Sequence, residues 1–356
     1  MKKFGRAFNH LEDLIFFYGS AGVKEAVQHI TEISNDPSLV RMKWDGGLQV
    51  YWGREYVNGP LIMTGHNGWA RGCKSTTSEE LYDFIINHSG KDRENVSGQR
   101  KEFARKFGRL FPLIDSATPN DFVGFVYTDL LFWDKPLLCN DEYNFQPNHT
   151  GYTVHKDSSL GKRIEKSRIL MAGHAYFDTF GLNDEFQKPL DDFHIFNSTD
   201  ELIILDPYYS NANTLHRFNT SDLEYINSRT VNIDRFLRPI DGVSAFKDYI
   251  YKYNNYRMKQ DASVSFLTWI TSISNISPSQ ILKIQNRIFT ENDGYHALFD
   301  LLGYIKSVKN SMIHRMDLHA TEYDVKAFNP EGWVRYADET KQFGHIKLVP
   351  RHKWTP

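Results

Sequence analysis

Two cysteines, Cys73 and Cys139, are all that 356 residues contain. That is too few for a disulfide framework, and neither sits in a Cys-x-x-Cys or Cys/His pattern of metal-ligand spacing, so both read as reduced thiols. Long apolar runs are missing: no stretch approaches the roughly 18 residues a membrane-spanning helix needs, and mean hydropathy is −0.51. The basic start Met1-Lys2-Lys3-Phe4-Gly5-Arg6 leads into Asn9-His10-Leu11-Glu12-Asp13, not into an apolar segment. No secretory signal is visible, and a cytoplasmic protein without membrane association is expected. An excess of either charge is lacking as well, with 42 basic and 44 acidic side chains and a net charge of −2. This excludes the overall basic bias common in nucleic-acid binders and confines any such contact to a local patch. There is no internal repeat and no low-complexity segment.

What the chain does have is length for one large domain or two ordinary ones, and 14% aromatic residues, read first as core and strand residues and second as base-stacking platforms. Asn9 with Glu12 three residues on predicts a helix N-terminus, and Leu11, Leu14, Ile15 and Tyr18 make an apolar stripe that Gly19 stops. A second helix is predicted from Gly22, giving an N-terminal helical pair over 9–34. From Leu39 the period changes to two. Leu39 to Lys43 and Leu48 to Trp52 read as strands, and Asp45-Gly46-Gly47 between them reads as a hairpin turn. Further strands are predicted at Leu61 to Thr64, Phe122 to Phe132 (buried on both faces), Gly151 to His155 and Ile169 to Phe177, with helices at Ser78 to His88 and Lys101 to Leu110. Ser221 to Met316 has helical spacing, and Glu331 to Val349 returns to strands around Ala337-Asp338-Glu339-Thr340. The expected architecture is α+β: a largely antiparallel core with covering helices over 1–184, a mainly helical insertion over 185–325, and the last core strands over 326–356.

Within Lys43-Trp44-Asp45-Gly46, Lys43 and Asp45 project together because side chains two apart share a strand face, and the glycines open the turn beside them to a phosphate. A lysine that attacks an α-phosphate must be neutral at that moment, so its usual pKa of about 10.4 has to fall through nearby cations, desolvation or metal. Arg41, two residues before and on the same face, is such a cation. Near the far end, Glu331-Gly332-Trp333-Val334 and Gly344-His345-Ile346-Lys347-Leu348-Val349 place a carboxylate and a second lysine on adjacent hairpin arms. A lysine, a carboxylate and a distant lysine suit metal-assisted nucleotidyl transfer: the carboxylate binds Mg²⁺, and the second lysine offsets charge on the five-coordinate α-phosphate.

These ordered motifs resemble the covalent nucleotidyltransferase superfamily of ATP-dependent DNA and RNA ligases and mRNA capping enzymes. Lys43-Trp44-Asp45-Gly46 resembles its nucleotide-accepting Lys-x-Asp-Gly, Glu331-Gly332-Trp333-Val334 its metal motif, and Ile346-Lys347-Leu348 its last, lysine-bearing strand. With His10-Leu11-Glu12-Asp13-Leu14 upstream, the chain also resembles a ligase-like group encoded by tailed bacteriophages, which would put it in the host cytoplasm.

The resemblance implies a nucleotidyltransferase fold, ATP and Mg²⁺ as cofactors, Lys43, Lys347 and Glu331 as catalytic residues, and Asp45, Gly46 and Arg41 at the nucleotide. It implies Asp129, in Thr128-Asp129-Leu130-Leu131, as the ribose ligand and a second metal ligand beside Glu331. Tyr127, Phe125 or Phe145 would stack on the base. Gly65-His66-Asn67-Gly68 resembles the family's Ser-Arg-Asn-Gly, with His66 in the place of the phosphate-binding arginine and Arg71 or Lys74 as substitutes. The partner implied is a nucleic acid with a 5′-phosphate end, RNA ahead of DNA. A GTP-specific capping-type enzyme and a degenerate nucleotide-binding or interaction protein are the alternatives, because Arg41 and Leu48 depart from the family pattern. Seven residues follow Val349, so no C-terminal oligonucleotide-binding barrel of the family's kind is expected. His149, His155, His174, His314 and His319 form no familiar ligand spacing and read as structural or surface residues. The basic face Lys101, Arg105, Lys106 and Arg109 is a candidate for phosphate-backbone contact.

Overall fold

Short apolar runs of period two and longer ones of helical period become strands and helices that sort into three sheets with helical covers. The computed structural model describes residues 8–88, 93–182, 188, 190, 192–211, 220–260, 264–273, 275–319, 325–330, 332–335 and 345–350. In chain order, β1 (Phe8–His10), α1 (Asp13–Tyr18), α2 (Ser20–Asn35), β2 (Arg41–Lys43), β3 (Leu48–Arg54) and β4 (Ile62–Gly65) are followed by α3 (His66–Ala70), α4 (Ser78–Asn87) and α5 (Gly98–Ala117). Then come β5 (Gly124–Phe132), β6 (Leu138–Cys139), β7 (Glu142–Phe145), β8 (Gly151–His155), α6 (Ser159–Ile164), β9 (Ile169–Phe177), β10 (Leu202–Leu205) and β11 (Tyr208–Asn211). The helices α7 (Thr220–Thr230), α8 (Ile233–Phe236), α9 (Phe246–Gln260), α10 (Phe266–Thr271), α11 (Pro278–Thr290) and α12 (Asn292–His319) precede β12 (Val325–Phe328), β13 (Trp333–Arg335) and β14 (His345–Leu348).

The first sheet has the order β1-β14-β13-β2-β11, the second β10-β9-β5-β3-β4 and the third β12-β8-β7-β6. Pairing is mostly antiparallel; β1 with β14 and β10 with β9 run parallel. The chain is therefore α+β with predominantly antiparallel sheets.

Each sheet is amphipathic in its own way. In the first, Met42, Trp333, Ile346 and Leu348 enter one apolar core with Leu14, Phe16 and Ile30 of the N-terminal helices and Ile250, Leu298 and Ile305 of the later helical block. Those helices are thus a cover on the sheet that carries Lys43. Three polar contacts fix that cover: Trp333 Nε1 donates to Asp317 of α12 at 2.9 Å, Arg335 pairs with Glu32 of α2, and Glu12 pairs with Lys309 of α12. In the second sheet, α4 and α5 bury Val50, Trp52, Met63, Val126 and Met171 on one face. All nine residues of β5 are buried, Thr128 and Asp129 among them, in line with the expected burial on both faces. Caps start the covering helices, with Thr77 accepting from Glu80 N and Ser97 from Arg100 N.

Four expectations are corrected. The Asp45-Gly46-Gly47 segment is not a hairpin turn: β2 pairs with β11 and β13, β3 pairs with β4 and β5, and the glycines carry the chain from one sheet to the other. A tight hairpin and a crossing between sheets need the same permissive residues, so local composition could not separate them. Asn9 does not cap a helix; it lies in β1 opposite Ile346, and α1 starts after Glu12 without a side-chain cap. The predicted strand from Leu39 begins at Arg41, because Pro37–Leu39 is a 3₁₀ turn capped by Asp36. Residues 202–211, expected inside the helical insertion, form β10 and β11, which extend the second and first sheets; runs of four residues carry too little periodicity to read. The helical spacing over 221–316 is realised in α7 to α12. The turn at 337–340 lies outside the described residues.

Candidate functional site

Register decides which side chains of the first sheet share a face. Arg41 is opposite Val334, Val334 is opposite Lys347, Lys347 is opposite His10, and Lys43 is two residues on from Arg41. Alternation puts all five on the face turned away from the helical cover, since Met42, Trp333, Ile346 and Leu348 occupy the covered face. Arg41, Lys43, Lys347 and His10 therefore gather on one basic face from three strands far apart in sequence. Lys43 is buried, at 2% exposure, while Lys347, Arg41 and His10 are half-buried. The Arg41 guanidinium lies 5.3 Å from the centre of the Tyr208 ring, and Tyr208 is the register partner of Lys43.

Each residue after Lys43 has a separate task. Trp44 is buried in the core between the second and third sheets, 4.9 Å from the ring of Tyr152. The Asp45 carboxylate accepts from Asn148 Nδ2 at 2.7 Å and from the Thr150 hydroxyl at 3.0 Å, and its backbone N–H donates to the Tyr152 hydroxyl at 2.6 Å. Thr150 Oγ1 also lies 3.0 Å from the carbonyl of Asn329, which ties the segment leading to Glu331 to the end of β2. Asp45 is thus a clamp that fixes the loop after Lys43. Gly46 packs against β5 so closely that a Cβ there would lie 2.5 Å from Asp129 Cβ and 2.8 Å from the Leu130 carbonyl, and its N–H donates to Asp129 Oδ2 at 3.4 Å. Gly332 holds φ +127 with Leu348 O in the space of a Cβ, so the glycine after Glu331 is a backbone requirement. Glu331 itself, expected as catalytic and metal-binding, lies outside the described residues.

Replacing Asp45 with alanine removes the acceptor of two donors in a partly buried loop and should lower stability by about 1–3 kcal/mol. Asp45→Asn, which keeps one oxygen acceptor, should cost less. Urea unfolding of both variants measures this; a loss below about 0.5 kcal/mol for Asp45→Ala, the level of an ordinary surface change, would exclude the clamp.

The second sheet presents Asp129 on the face opposite α4 and α5. Gln49 is its register partner, and Gln49 Nε2 donates to the Tyr127 hydroxyl at 2.7 Å. Beside this row runs a stack of rings: Trp69 on Tyr51 with centres 4.6 Å apart, Tyr51 on Tyr127 at 4.8 Å, and Tyr127 on His174 at 4.2 Å. Because Tyr51 and His174 come from the strands on either side of β5, both faces of the Tyr127 ring are covered. Phe125 packs against Trp69 and Phe180, and Phe145 against Phe132 and Tyr152. The rings expected to stack on the base, Tyr127, Phe125 and Phe145, are thus all packed against neighbouring rings, and Tyr127 presents its edge and hydroxyl beside them. His66 opens α3 directly after Gly65, is exposed, and lies 6.5 Å from the Tyr51 ring. Lys74 pairs with Glu55 at 2.6 Å.

His174, read as structural or surface, lies beside a proposed site residue: its Nε2 is 3.4 Å from Asp129 Oδ2. No local spacing signals it, because the pair is made by the register of β5 on β9. The basic helix face is on the far side of the sheet, since α5 packs opposite the Asp129 face. There Lys106 pairs with Asp134 at 2.5 Å and lies 5.5 Å from the Trp133 ring, and Arg105 is 3.4 Å from Glu102.

Asp45 and Asp129 are the described carboxylates of the site, and both receive N–H or O–H donors, an environment for a hydroxyl-bearing ligand more than for a cation. Among the described residues, three metal-type ligands converge at Asp192, His194 and Asp206, where Asp206 also accepts from Phe193 N at 2.8 Å. This cluster is largely exposed, and Phe193 beside it packs into the α4 and α5 core. No described helix is long and apolar enough to cross a membrane. Compared with protein-family models, with curated proteins and with solved structures, the chain matches none.

Proposed function

We propose that the protein is a ligase-like nucleotidyltransferase in which Lys43 accepts AMP from ATP, supplied with its accompanying Mg²⁺. The observation that carries the reading is the register of the first sheet, in which Arg41, Val334 and Lys347 are direct neighbours and Lys43 shares their face. Residues matching the first and last motifs of a covalent nucleotidyltransferase thereby meet at one surface. A buried lysine is also easier to hold uncharged than a solvated one, and Arg41 and Lys347 supply the positive charge that a phosphate requires.

In this reaction the Lys43 Nζ lone pair forms a bond to the α-phosphorus, the bond from that phosphorus to the bridging oxygen breaks, pyrophosphate leaves, and the amine proton passes to solvent. The lysyl phosphoramidate then transfers AMP to a 5′-phosphate on RNA or DNA, the Lys43 nitrogen leaving as the amine. A hydroxyl end displaces AMP to join the strand. Lys347 and Arg41 offset charge as the α-phosphate becomes five-coordinate. In this reading Asp129, which the Gly46 N–H approaches, takes the ribose.

The test is incubation with Mg²⁺ and α-labelled ATP or GTP, then mapping of the label on the denatured chain. Acid-labile, alkali-stable label on Lys43 from ATP is expected. Preferential label from GTP moves the assignment to a capping-type enzyme, and no label from any nucleotide leaves a noncovalent binder.

A further inference from the structure

Resting on the nucleotidyl-transfer reading, we propose that His174 is a positioning residue of the same site, which orients Asp129 to read the ribose hydroxyls of the incoming nucleotide. Three observations converge on it. First, the β5–β9 ladder shifts register here: Tyr127 is opposite Ala175, but the next residue, Thr128, is opposite Gly173, so His174 is the extra residue of a β-bulge. A bulge re-aims a side chain and adds local twist, and bulges concentrate beside active sites. Gly173, next to the bulged residue, has no room for a side chain, because a Cβ there would lie 2.3 Å from the Phe193 ring.

Second, the imidazole is held on two sides. Its plane stacks on Tyr127 with the rings 25° apart, and its Nε2 lies 3.4 Å from Asp129 Oδ2, with the two side chains only 14% and 5% exposed. Third, the Gly46 N–H approaches that same oxygen. The Gly46 N–H from the Lys43 loop and the imidazole nitrogen from β9 thus approach the same oxygen and hold the carboxylate in one orientation. A carboxylate so fixed next to the nucleophile loop is suited to a sugar hydroxyl, and the ligand class it selects is a ribonucleotide over its 2′-deoxy counterpart.

The test measures KM and kcat for labelling of Lys43 by ATP and by dATP. Wild type should prefer ATP by about tenfold or more in KM, the scale of a hydrogen bond to a charged group. His174→Phe keeps an aromatic ring on Tyr127 but has no donor; its KM for ATP should rise to the dATP value, with dATP and kcat little changed. His174→Gln, whose amide N–H can reach Asp129, should restore most of the preference. Asp129→Asn should lose the preference to the same extent, and adding His174→Phe to it should cost nothing more. A wild type that labels but ignores the 2′-hydroxyl, or a His174→Phe that raises both KM values equally or keeps the preference, overturns the role of His174 and leaves Lys43 as nucleophile. If wild type takes no label from either nucleotide, the nucleotidyl-transfer reading fails first and this role with it.

Discussion

Lys43→Ala and Lys43→Arg should both lose covalent label by at least about 10⁴-fold, the scale on which loss of a nucleophile is felt in other enzymes. The arginine variant is the more instructive. It keeps a positive charge and a long side chain in the same buried place, but a guanidinium stays protonated at every accessible pH and has no lone pair to offer phosphorus. If Lys43 only binds phosphate by its charge, Lys43→Arg should retain nucleotide affinity within a few-fold, and wild type should show no covalent label. If Lys43 is the nucleophile, Lys43→Arg should bind nucleotide and take none. Parallel measurement of equilibrium binding and of label separates these outcomes. Label that persists on Lys43→Ala would assign the chemistry to another residue.

Lys309→Met should be the most destabilising single change tied to a polar contact, at about 3–5 kcal/mol. Lys309 Nζ lies 2.7 and 2.9 Å from the two carboxylate oxygens of Glu12, and both side chains are 0% exposed. Removing the cation takes from Glu12 a partner at 2.7 and 2.9 Å in a fully buried setting, next to the core that holds Leu11, Leu14, Leu302 and Ile305, and breaking one side of a buried pair is costly. The loss should shrink on acidification, because protonation of Glu12 removes the buried charge that has lost its cation. Replacing both partners, Glu12→Leu with Lys309→Met, should recover most of the loss, since the desolvation cost of the two ions goes with them. Denaturant unfolding at neutral and acidic pH measures both effects; a loss under about 1 kcal/mol for the single variant would show that Glu12 does not depend on Lys309. The contact joins the start of the chain to α12, so its rupture should also loosen the helical cover on the back of the Lys43 sheet.

Much of the fold was legible before the structure. The strands Gly151–His155 and Ile169–Phe177 and the helices near Ser78 and over 221–316 follow from apolar spacing, which is a local property. The α+β class and the mostly antiparallel pairing follow from those elements. Lys43, Asp45 and Lys347 stood out for the same reason: short motifs, readable in order, with glycines at Gly46 and Gly332 where a Cβ would strike the neighbouring backbone.

What the sequence by itself determined, then, was most of the segments that are strand or helix, and it marked the residues proposed to carry chemistry. Tertiary structure alone decided how they meet. Asp45-Gly46-Gly47 reads as a turn, and only long-range pairing makes it a crossing between two sheets. Tyr127 reads as a stacking platform, and only its neighbours on β3 and β9 show both ring faces taken. His174 reads as a structural or surface residue, and only a one-residue register shift brings it beside Asp129. The physical reason is common to all three: side-chain direction along one strand is fixed every second residue by local geometry, but the partner across the ladder is chosen by packing of distant segments.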